Sequence, residues 1–367
     1  MRFRAEPAPP PLHDADAGGL APAPAGPSDH AAVAVLLVNL GTPAAPTTAA
    51  LRRYLAEFLS DPRVVEIPRA LWLPILHGVI LRVRPAKSAA KYRSVWSPDG
   101  SPLALWTAQQ ALALQRQLSA RGQPVSVRHA MRYGEPAIAH VLDELRAAGC
   151  TRVLVLPLYP QYAGATTGSV ADAVHHWALR ARRVPELRSV ADYHDDPGYI
   201  DALAASLHRQ WREHAAGERL VLSFHGIPER SVNLGDPYRD QCLRTARLLR
   251  ERLGLPEERV LVTFQSRFGK ARWIGPYTEP AVRALASQGV RDIDIICPGF
   301  ASDCLETLEE IAQEVRQAFM SAGGRRFSYI PCLNANAEWI DALAALAERH
   351  LQGWLPPGAV DRQRPGR

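Results

Sequence analysis

The sequence predicts an α/β protein with two similar lobes, each built on a four-stranded parallel sheet flanked by helices. Eight short runs of mainly aliphatic residues recur along the chain, and helical segments separate them. The runs are almost continuously apolar rather than alternating, which is typical of parallel strands covered on both faces. No G-x-G-x-x-G pattern follows any of them. We therefore expect two Rossmann-like lobes without a dinucleotide site, and no nucleotide cofactor.

The eight predicted strands divide evenly between the two halves of the chain. They cover residues 32–40, 125–130, 153–158 and 187–193 in the first half, and 220–224, 260–264, 293–297 and 327–330 in the second. This division predicts an N-terminal lobe at 31–195 and a C-terminal lobe at 196–355. A chain of 367 residues is long enough for two domains with substantial cores.

Composition and charge favour a globular protein without nucleic-acid or transmembrane functions. Hydrophobic residues make up 47% of the chain and charged residues 22%, and the formal net charge is +6. No block of Lys and Arg is interleaved with aromatic residues, so we expect no nucleic-acid partner. No run reaches the about 18 apolar residues that a membrane span requires. The five cysteines form no C-x-x-C pair, which indicates a reducing compartment and predicts a cytoplasmic protein.

The two ends of the chain differ in composition from the predicted lobes. Residues 1–30 are rich in Pro, Ala and Gly and lack the apolar segment of a signal peptide. Such a composition buries too little apolar surface to offset the entropy of ordering, so this stretch is predicted to be a disordered tail. Residues 356–367 are predicted to form a flexible C-terminus.

Polar and aromatic side chains follow most of the predicted strands. Examples are N-L-G-T-P, M-R-Y-G, Y-P-Q-Y, F-H-G-I-P, F-Q-S-R-F-G-K and C-P-G-F-A-S-D. The carboxyl ends of parallel strands meet at one edge of a sheet, where open α/β sheets bind their ligands. The pattern therefore predicts one large cleft between the lobes.

His225 ends a buried strand and is held between Phe224 and Gly226. A histidine at such a position is commonly satisfied by a backbone carbonyl and has no chemical role. Imidazole also exchanges protons near neutral pH, and Gly226 with Pro228 suits a tight, stiff turn. Together with a carboxylate from another strand end, His225 would suit proton abstraction or the handling of a divalent metal.

Glu306 allows two interpretations. It lies three residues after Asp303, so the pair fits a capping box in which Glu306 returns a hydrogen bond to the backbone. It also begins a row with Glu310 and Glu314, spaced four residues apart on one face of a predicted α-helix. Like charges at this spacing are mildly destabilising. The row is either a solvated face or a track for cations and protons.

Eight longer motifs occur in a fixed order along the chain. They are V-N-L-G-T-P (38–43), K-Y-x-S-V-W-x(3)-G-S-P (91–102), M-R-Y-G (131–134), L-Y-P-Q-Y-x(3)-T-T-G-S (158–169), L-S-F-H-G-I-P-x(6)-G-D-P-Y (222–238), F-Q-S-R-F-G (264–269), W-x-x-P-Y-T (273–278) and C-P-G-F-x-x-D-C-L-E-T (297–307). Taken together, they resemble the motifs of the ferrochelatase family, whose members insert ferrous iron into a porphyrin to make heme.

The resemblance implies a chelatase-type fold and the terminal step of heme biosynthesis, in which protoporphyrin IX and Fe(II) give protoheme. His225 matches the family's active-site histidine, and Glu306 matches its essential glutamate. Both are expected to handle pyrrole protons and to bind Fe(II), and either one is the first metal ligand. Glu310 and Glu314 match an outer row of carboxylates that delivers metal.

The resemblance also implies residues around the porphyrin, namely Tyr159, Arg132, Trp273 and Phe300. The apolar segment near 70–83 resembles a flexible lip over the pocket mouth, which gives at most peripheral contact with a membrane. Basic residues such as Arg82 and Arg84 are expected to meet the porphyrin propionates. Protoporphyrin IX and ferrous iron are the expected partners, and we favour a monomer.

The chain departs from the family pattern at its cysteines. Cys304 stands where eukaryotic members have a histidine, as it does in many bacterial members. Family members with a [2Fe–2S] cluster often draw cysteines from a C-terminal extension, whereas the last cysteine here is Cys332. We therefore predict no iron–sulfur cluster and iron only as substrate.

Two other functions share the predicted architecture. A cobalt chelatase acting on a corrin precursor would use the same two-lobed cleft. A non-catalytic tetrapyrrole carrier would need the apolar pocket but not the row of glutamates, so the row favours an enzyme.

Overall fold

The computed structural model describes residues 32–269 and 271–355, so the predicted tails at 1–30 and 356–367 lie outside the described residues. The strands are β1 (Ala32–Gly41), β2 (Val125–Tyr133), β3 (Cys150–Pro157), β4 (Glu186–Ser189), β5 (Arg219–His225), β6 (Val260–Gln265), β7 (Asp292–Ile296) and β8 (Arg326–Ile330). They form two parallel four-stranded sheets, in the orders β2-β1-β3-β4 and β6-β5-β7-β8. The two orders are equivalent, so the predicted pair of similar α/β lobes is confirmed.

The strands form where the apolar runs predict them, because a parallel sheet covered on both faces has no solvent face to select polar residues. In β1, every residue from Val33 to Val38 is buried. The edge strand β4 is shorter than predicted. It ends at Ser189, and the chain then leaves the sheet in a loop, although Val190 and Tyr193 still donate backbone hydrogen bonds to Val155 and Pro160.

Helices connect the strands, as parallel pairing requires. They are α1 (Thr48–Ser60), α2 (Arg69–Ile75), α3 (Leu81–Val95), α4 (Pro102–Ala120), α5 (Ile138–Ala147), α6 (Ser169–Ala178), α7 (Pro197–Glu213), α8 (Glu229–Asn233), α9 (Tyr238–Leu253), α10 (Thr278–Ser287), α11 (Arg316–Ser321) and α12 (Ala337–Leu351). Leu76–Ile80, Gly164–Gly168 and Glu306–Val315 are π-helical, and Glu257–Arg259 is a short 3₁₀ turn. Local sequence explains several ends: Thr47 and Asp196 cap α1 and α7, and left-handed Gly254 ends α9.

One hydrophobic core extends through both lobes. It includes Leu37 and Leu154 from the first sheet and Leu222 from the second. Helix α12, although last in the chain, packs against α4 and β3 as well as α7. The two sheets therefore share a core, which fixes the relative position of their carboxyl edges.

A helical arm follows α1 in the first lobe and packs on it. It consists of α2, the π-helical turn Leu76–Ile80 and α3, and it covers the segment predicted to be a lip. Leu71, Ile75, Val79 and Val83, spaced four residues apart, are all exposed on it. Among the described residues, no helix is both long and apolar enough to cross a membrane.

Candidate functional site

His225 lies at the carboxyl end of β5, where the two interpretations of the sequence prove compatible. Its Nδ1 is 2.6 Å from the carbonyl oxygen of Gly226. A carbonyl can only accept, so Nδ1 carries the proton and Nε2 of the neutral ring keeps its lone pair. Within the described residues, no hydrogen bond engages Nε2. The backbone thus orients the ring and leaves one nitrogen for chemistry.

Aromatic side chains surround His225. The ring centroids of Trp273 and Phe300 lie 6.2 Å and 6.3 Å from that of the imidazole. Gly226 explains how Trp273 comes so close, because a Cβ there would lie 3.0 Å from the Gln265 oxygen and 3.1 Å from the Trp273 ring. The structure therefore brings together three of the predicted site residues around one strand end.

The capping-box interpretation of Glu306 is wrong. In a capping box its carboxylate would accept from the Asp303 N–H, but that group donates to Asn334 Oδ1 at 2.9 Å. The next N–H, of Cys304, is capped instead by the Thr307 hydroxyl at 3.0 Å. The main-chain oxygen of Glu306 accepts from Gln265 Nε2 at 3.0 Å. The carboxylate of Glu306 therefore has no capping role.

Weak acids that remain protonated surround the Glu306 carboxylate. Burial raises the pKa of the Tyr92 hydroxyl and of the Cys304 thiol, and the negative charge of Glu306 is the next cause in both. The Cys304 thiol also hydrogen-bonds to Glu306. Both groups therefore stay neutral near the Glu306 carboxylate and do not compete with it as anions.

Glu310 links the glutamates to the histidine. Its two carboxylate oxygens accept from the Ser266 N–H at 2.7 Å and from the Ser266 hydroxyl at 2.5 Å. Ser266 has a left-handed backbone, with φ of 66°, which directs both donors at one carboxylate. Burial raises the pKa of Glu310, while Ser266 and nearby His225 oppose that rise and Glu306 adds to it. His225, Glu306 and Glu310 therefore interact within one cluster.

Glu314 lies apart from this cluster. The predicted α-helix is π-helical over Glu306–Val315. The row of glutamates is divided between two partners, because Glu310 accepts from Ser266 and Glu314 pairs with Lys91. Glu314 and the unpredicted Glu309 both bind Lys91 of α3.

Arg132 and Tyr159 lie in the first lobe and differ in whether their polar atoms have hydrogen-bond partners. The Arg132 guanidinium donates to Asp61 Oδ2 at 2.6 Å and to the Ser169 hydroxyl at 2.6 Å, so its charge is already paired. Within the part of the chain that is described, the buried Tyr159 hydroxyl has no hydrogen-bond partner. Burial raises its pKa well above the ordinary value, so it remains a neutral donor.

Arg82 and Arg84 are exposed on the first turn of α3. Arg84 lies over the Phe268 ring, 5.5 Å from its centroid, and so connects the arm to the second lobe. Neither guanidinium forms an ion pair with any described residue.

Four residues near the cluster are absent from the sequence-based prediction, namely Tyr92, Lys91, Ser266 and Glu309. Three of them stand inside motifs already noted, since Lys91 and Tyr92 begin K-Y-x-S-V-W and Ser266 is in F-Q-S-R-F-G. Glu309 gives no such signal. Over residues 32–269 and 271–355, no three His, Cys, Asp or Glu side chains are grouped closely enough to hold a metal ion by themselves.

Comparison with known proteins gives a consistent result. The ferrochelatase family model matches residues 32–351. The chain is 66% identical to the ferrochelatase of Methylibium petroleiphilum, covering 89% of this chain and 90% of that protein. It is 61% identical to the ferrochelatase of Polaromonas sp., covering 89% of each.

A likeness to a solved structure supports the fold alone. The structure of SirB from Bacillus subtilis with Fe3+ matches with a TM-score of 0.52 at 14% identity, covering 87% of this chain and 95% of that chain. The family match over both sheets, together with relatives of this similarity, shows that the chain belongs to the ferrochelatase family.

Proposed function

We propose that the cleft inserts ferrous iron into protoporphyrin IX through the cluster of His225, Glu306 and Glu310. The protein is a porphyrin metal chelatase of heme synthesis, as its family and its relatives indicate. The observation that carries the residue assignment is the free Nε2 of His225 beside two carboxylates that have no capping role.

Metallation exchanges two pyrrole protons for one Fe(II), so the site must accept two protons and present one cation. We assign the first proton to His225 Nε2, whose lone pair is oriented by the bond from Nδ1 to the backbone. The Glu306 carboxylate, which accepts a hydrogen bond from the Cys304 thiol, binds incoming Fe(II). Glu310, whose pKa burial raises, accepts the second proton and passes it to solvent. His225 then passes the first proton to Glu310, which releases it by the same route. Both protons have then left, and the iron–porphyrin product is neutral.

The macrocycle needs apolar walls and partners for its propionates. Trp273 and Phe300 supply aromatic surface beside His225, and stacking with apolar burial provides most of the binding free energy. Arg82 and Arg84 are exposed and have no carboxylate partner among the described residues, so they are suited to bind propionates. Arg132 and Tyr159 would line the other lobe.

The exposed apolar row of the arm suits peripheral contact with a membrane, beside the pocket through which an apolar porphyrin enters. We propose a cytoplasmic location, because the five cysteines are free thiols that suit a reducing compartment. A monomer is part of the same proposal. No iron–sulfur cluster is part of the proposal. The outer delivery role predicted for Glu314 would require its ion pair with Lys91 to open.

The test compares multiple-turnover iron insertion by the wild type, Glu306→Gln and the control Glu258→Gln, which alters an exposed glutamate of the short 3₁₀ turn. We expect Glu306→Gln to lower the rate by about 100-fold or more, because it removes the charge and basicity but keeps the shape. Its free energy of unfolding should change by less than about 1 kcal/mol, since no cap is lost. Porphyrin affinity and the control should match the wild type.

Three results would contradict the proposal. A Glu306→Gln rate within a few-fold of the wild type would remove Glu306 from the chemistry. Stoichiometric porphyrin binding without turnover by the wild type would indicate a carrier. Preference for Co(II) and a corrin precursor over Fe(II) and protoporphyrin would indicate a cobalt chelatase.

A further inference from the structure

Lys91 connects the arm of the first lobe to the glutamate segment of the second. Its Nζ lies 2.9 Å from Glu309 Oε2 and 2.8 Å from Glu314 Oε1. We propose that Lys91 is a positioning residue, which holds Glu306–Val315 in the π-helical form that directs Glu306 and Glu310 toward His225. The inference rests on the proposed function for its catalytic consequence, but not for its structural one.

The spacing of the two glutamates makes this bridge specific to the π-helix. Glu309 and Glu314 are five residues apart. In an α-helix, five residues correspond to a rotation that leaves the two side chains about 140° apart around the axis. In a π-helix each N–H bonds the carbonyl five residues earlier, so residues five apart stack on one side. One ammonium group can therefore bridge this pair in the π form and not in the α form.

The π form needs such support. π-Helices are rare and usually last a single turn, whereas this segment has ten residues. An ion pair that exists in one form alone shifts the balance between the two forms.

The ion pair between Lys91 and the buried Glu309 carries most of the effect. Glu309 is only 8% exposed, and among the ion pairs of the described residues Lys91 is its one cationic partner. Burial raises the pKa of Glu309, and the Lys91 charge opposes that rise. Glu314 is largely exposed, so its ion pair with Lys91 contributes little stability by itself. Removing Lys91 would leave a buried carboxylate without its partner, which is costly.

The neighbouring glutamates are held from opposite sides. Glu309 binds Lys91 from the arm, while Glu310 binds Ser266 from the loop after β6. A change to α-helical pitch would rotate both away from these partners. Lys91 thus acts on the reaction through the orientation of the segment, without touching the reacting atoms.

The experiment uses the full chain as Lys91→Met, Lys91→Arg and the double variant Lys91→Met/Glu309→Gln. Backbone hydrogen exchange is measured in peptides that cover 306–315, together with Tm, kcat and the KM for porphyrin. We expect Lys91→Met to increase exchange there and to lower kcat by about 10-fold or more, because small misplacements of catalytic groups are costly. KM should stay unchanged, and Lys91→Arg should retain wild-type values within about 2-fold.

The double variant separates positioning from simple charge neutralisation. It removes the unpaired buried charge, so its Tm should recover toward that of the wild type. If Lys91 positions the segment, exchange stays high and kcat stays low. Recovery of kcat together with Tm would overturn the proposal, as would wild-type exchange in Lys91→Met. A wild type that inserts no iron would refute the proposed function instead, and the exchange results would still test the bridge.

Discussion

The chemistry of single residues around the carboxyl end of β5 depends on which of their polar atoms already have hydrogen-bond partners. His225 commits Nδ1 to a neighbouring carbonyl, and Glu306 commits its main-chain oxygen to Gln265. Each residue is thereby held by an atom that the proposed reaction does not use. Hydrogen bonds to these other atoms therefore help to preorganise the site.

Ser266 gives a prediction about pH. The mechanism requires Glu310 as a carboxylate, so the rate of iron insertion should rise as pH increases through its raised pKa. The Ser266 hydroxyl stabilises the carboxylate, and Ser266→Ala removes that bond while keeping the one from the N–H. The pKa of Glu310 should rise further, and the acid limb of the kcat/KM profile should move to higher pH.

The control for this shift is Ser287→Ala, on the exposed face of α10, whose profile should match the wild type. A Ser266→Ala profile with an unmoved acid limb would show that Glu310 does not take part in the proton transfer.

The raised pKa of Glu310 also defines how its contribution to stability changes with pH. A carboxyl whose pKa is raised on folding contributes its stability below its ordinary pKa, and the contribution is lost as pH rises through the raised value.

For single residues, the sequence predicts which residues form the site better than it predicts their hydrogen-bond partners. His225 and Glu306 are recognisable because they end a strand and begin a helix inside specific motifs. The role of Ser266 was not predictable, because it depends on a left-handed backbone that a serine seldom adopts. The capping-box prediction was wrong because the Asp303 N–H donates to Asn334, which is distant in the chain.

Among the elements, the segment Glu306–Val315 shows how tertiary contacts override local periodicity. Glutamates spaced by four predict an α-helix with one acidic face. The observed π pitch places Glu309 and Glu314 together on Lys91 and leaves Glu310 on Ser266. Neither partner is local, so no pattern within the helix contains this information.

The arm is the element through which we expect contact with membranes. Leu71 and Val83 are 63% and 59% exposed. Replacing both with Gln keeps good helix formers but removes apolar surface, so binding to anionic phospholipid vesicles should weaken by about 10-fold or more. Co-sedimentation with vesicles measures the change. Iron insertion with detergent-solubilised porphyrin should fall much less.

The matched control is Leu179→Gln, an even more exposed leucine at the end of α6, which should bind vesicles as the wild type does. Equal weakening in the control would attribute binding to general hydrophobicity. A wild type that does not sediment with vesicles would remove the membrane contact from the proposal.

For the whole molecule, the number of strands and their division into two parallel sheets could be predicted from the sequence, because both come from local apolar runs with helical segments between them. The shared core could not. Helix α12 reads as the last helix of the second lobe, yet it packs on α4 and β3 of the first. Its placement depends on which apolar faces remain uncovered after both sheets form, and this is a property of the assembled lobes.

The shared core predicts that the two lobes unfold together. Because Leu343 of α12 is fully buried in a core that both sheets contribute to, loss of either lobe exposes the other. Calorimetry should show one transition, coincident with those followed by circular dichroism and tryptophan fluorescence. Leu343→Ala should lower the free energy of unfolding by about 2–5 kcal/mol and keep a single transition. Leu234→Ala, at an exposed leucine, should change it by less than about 0.5 kcal/mol. Two resolved transitions in the wild type would show that the lobes are independent, and the cleft would then be free to open without unfolding.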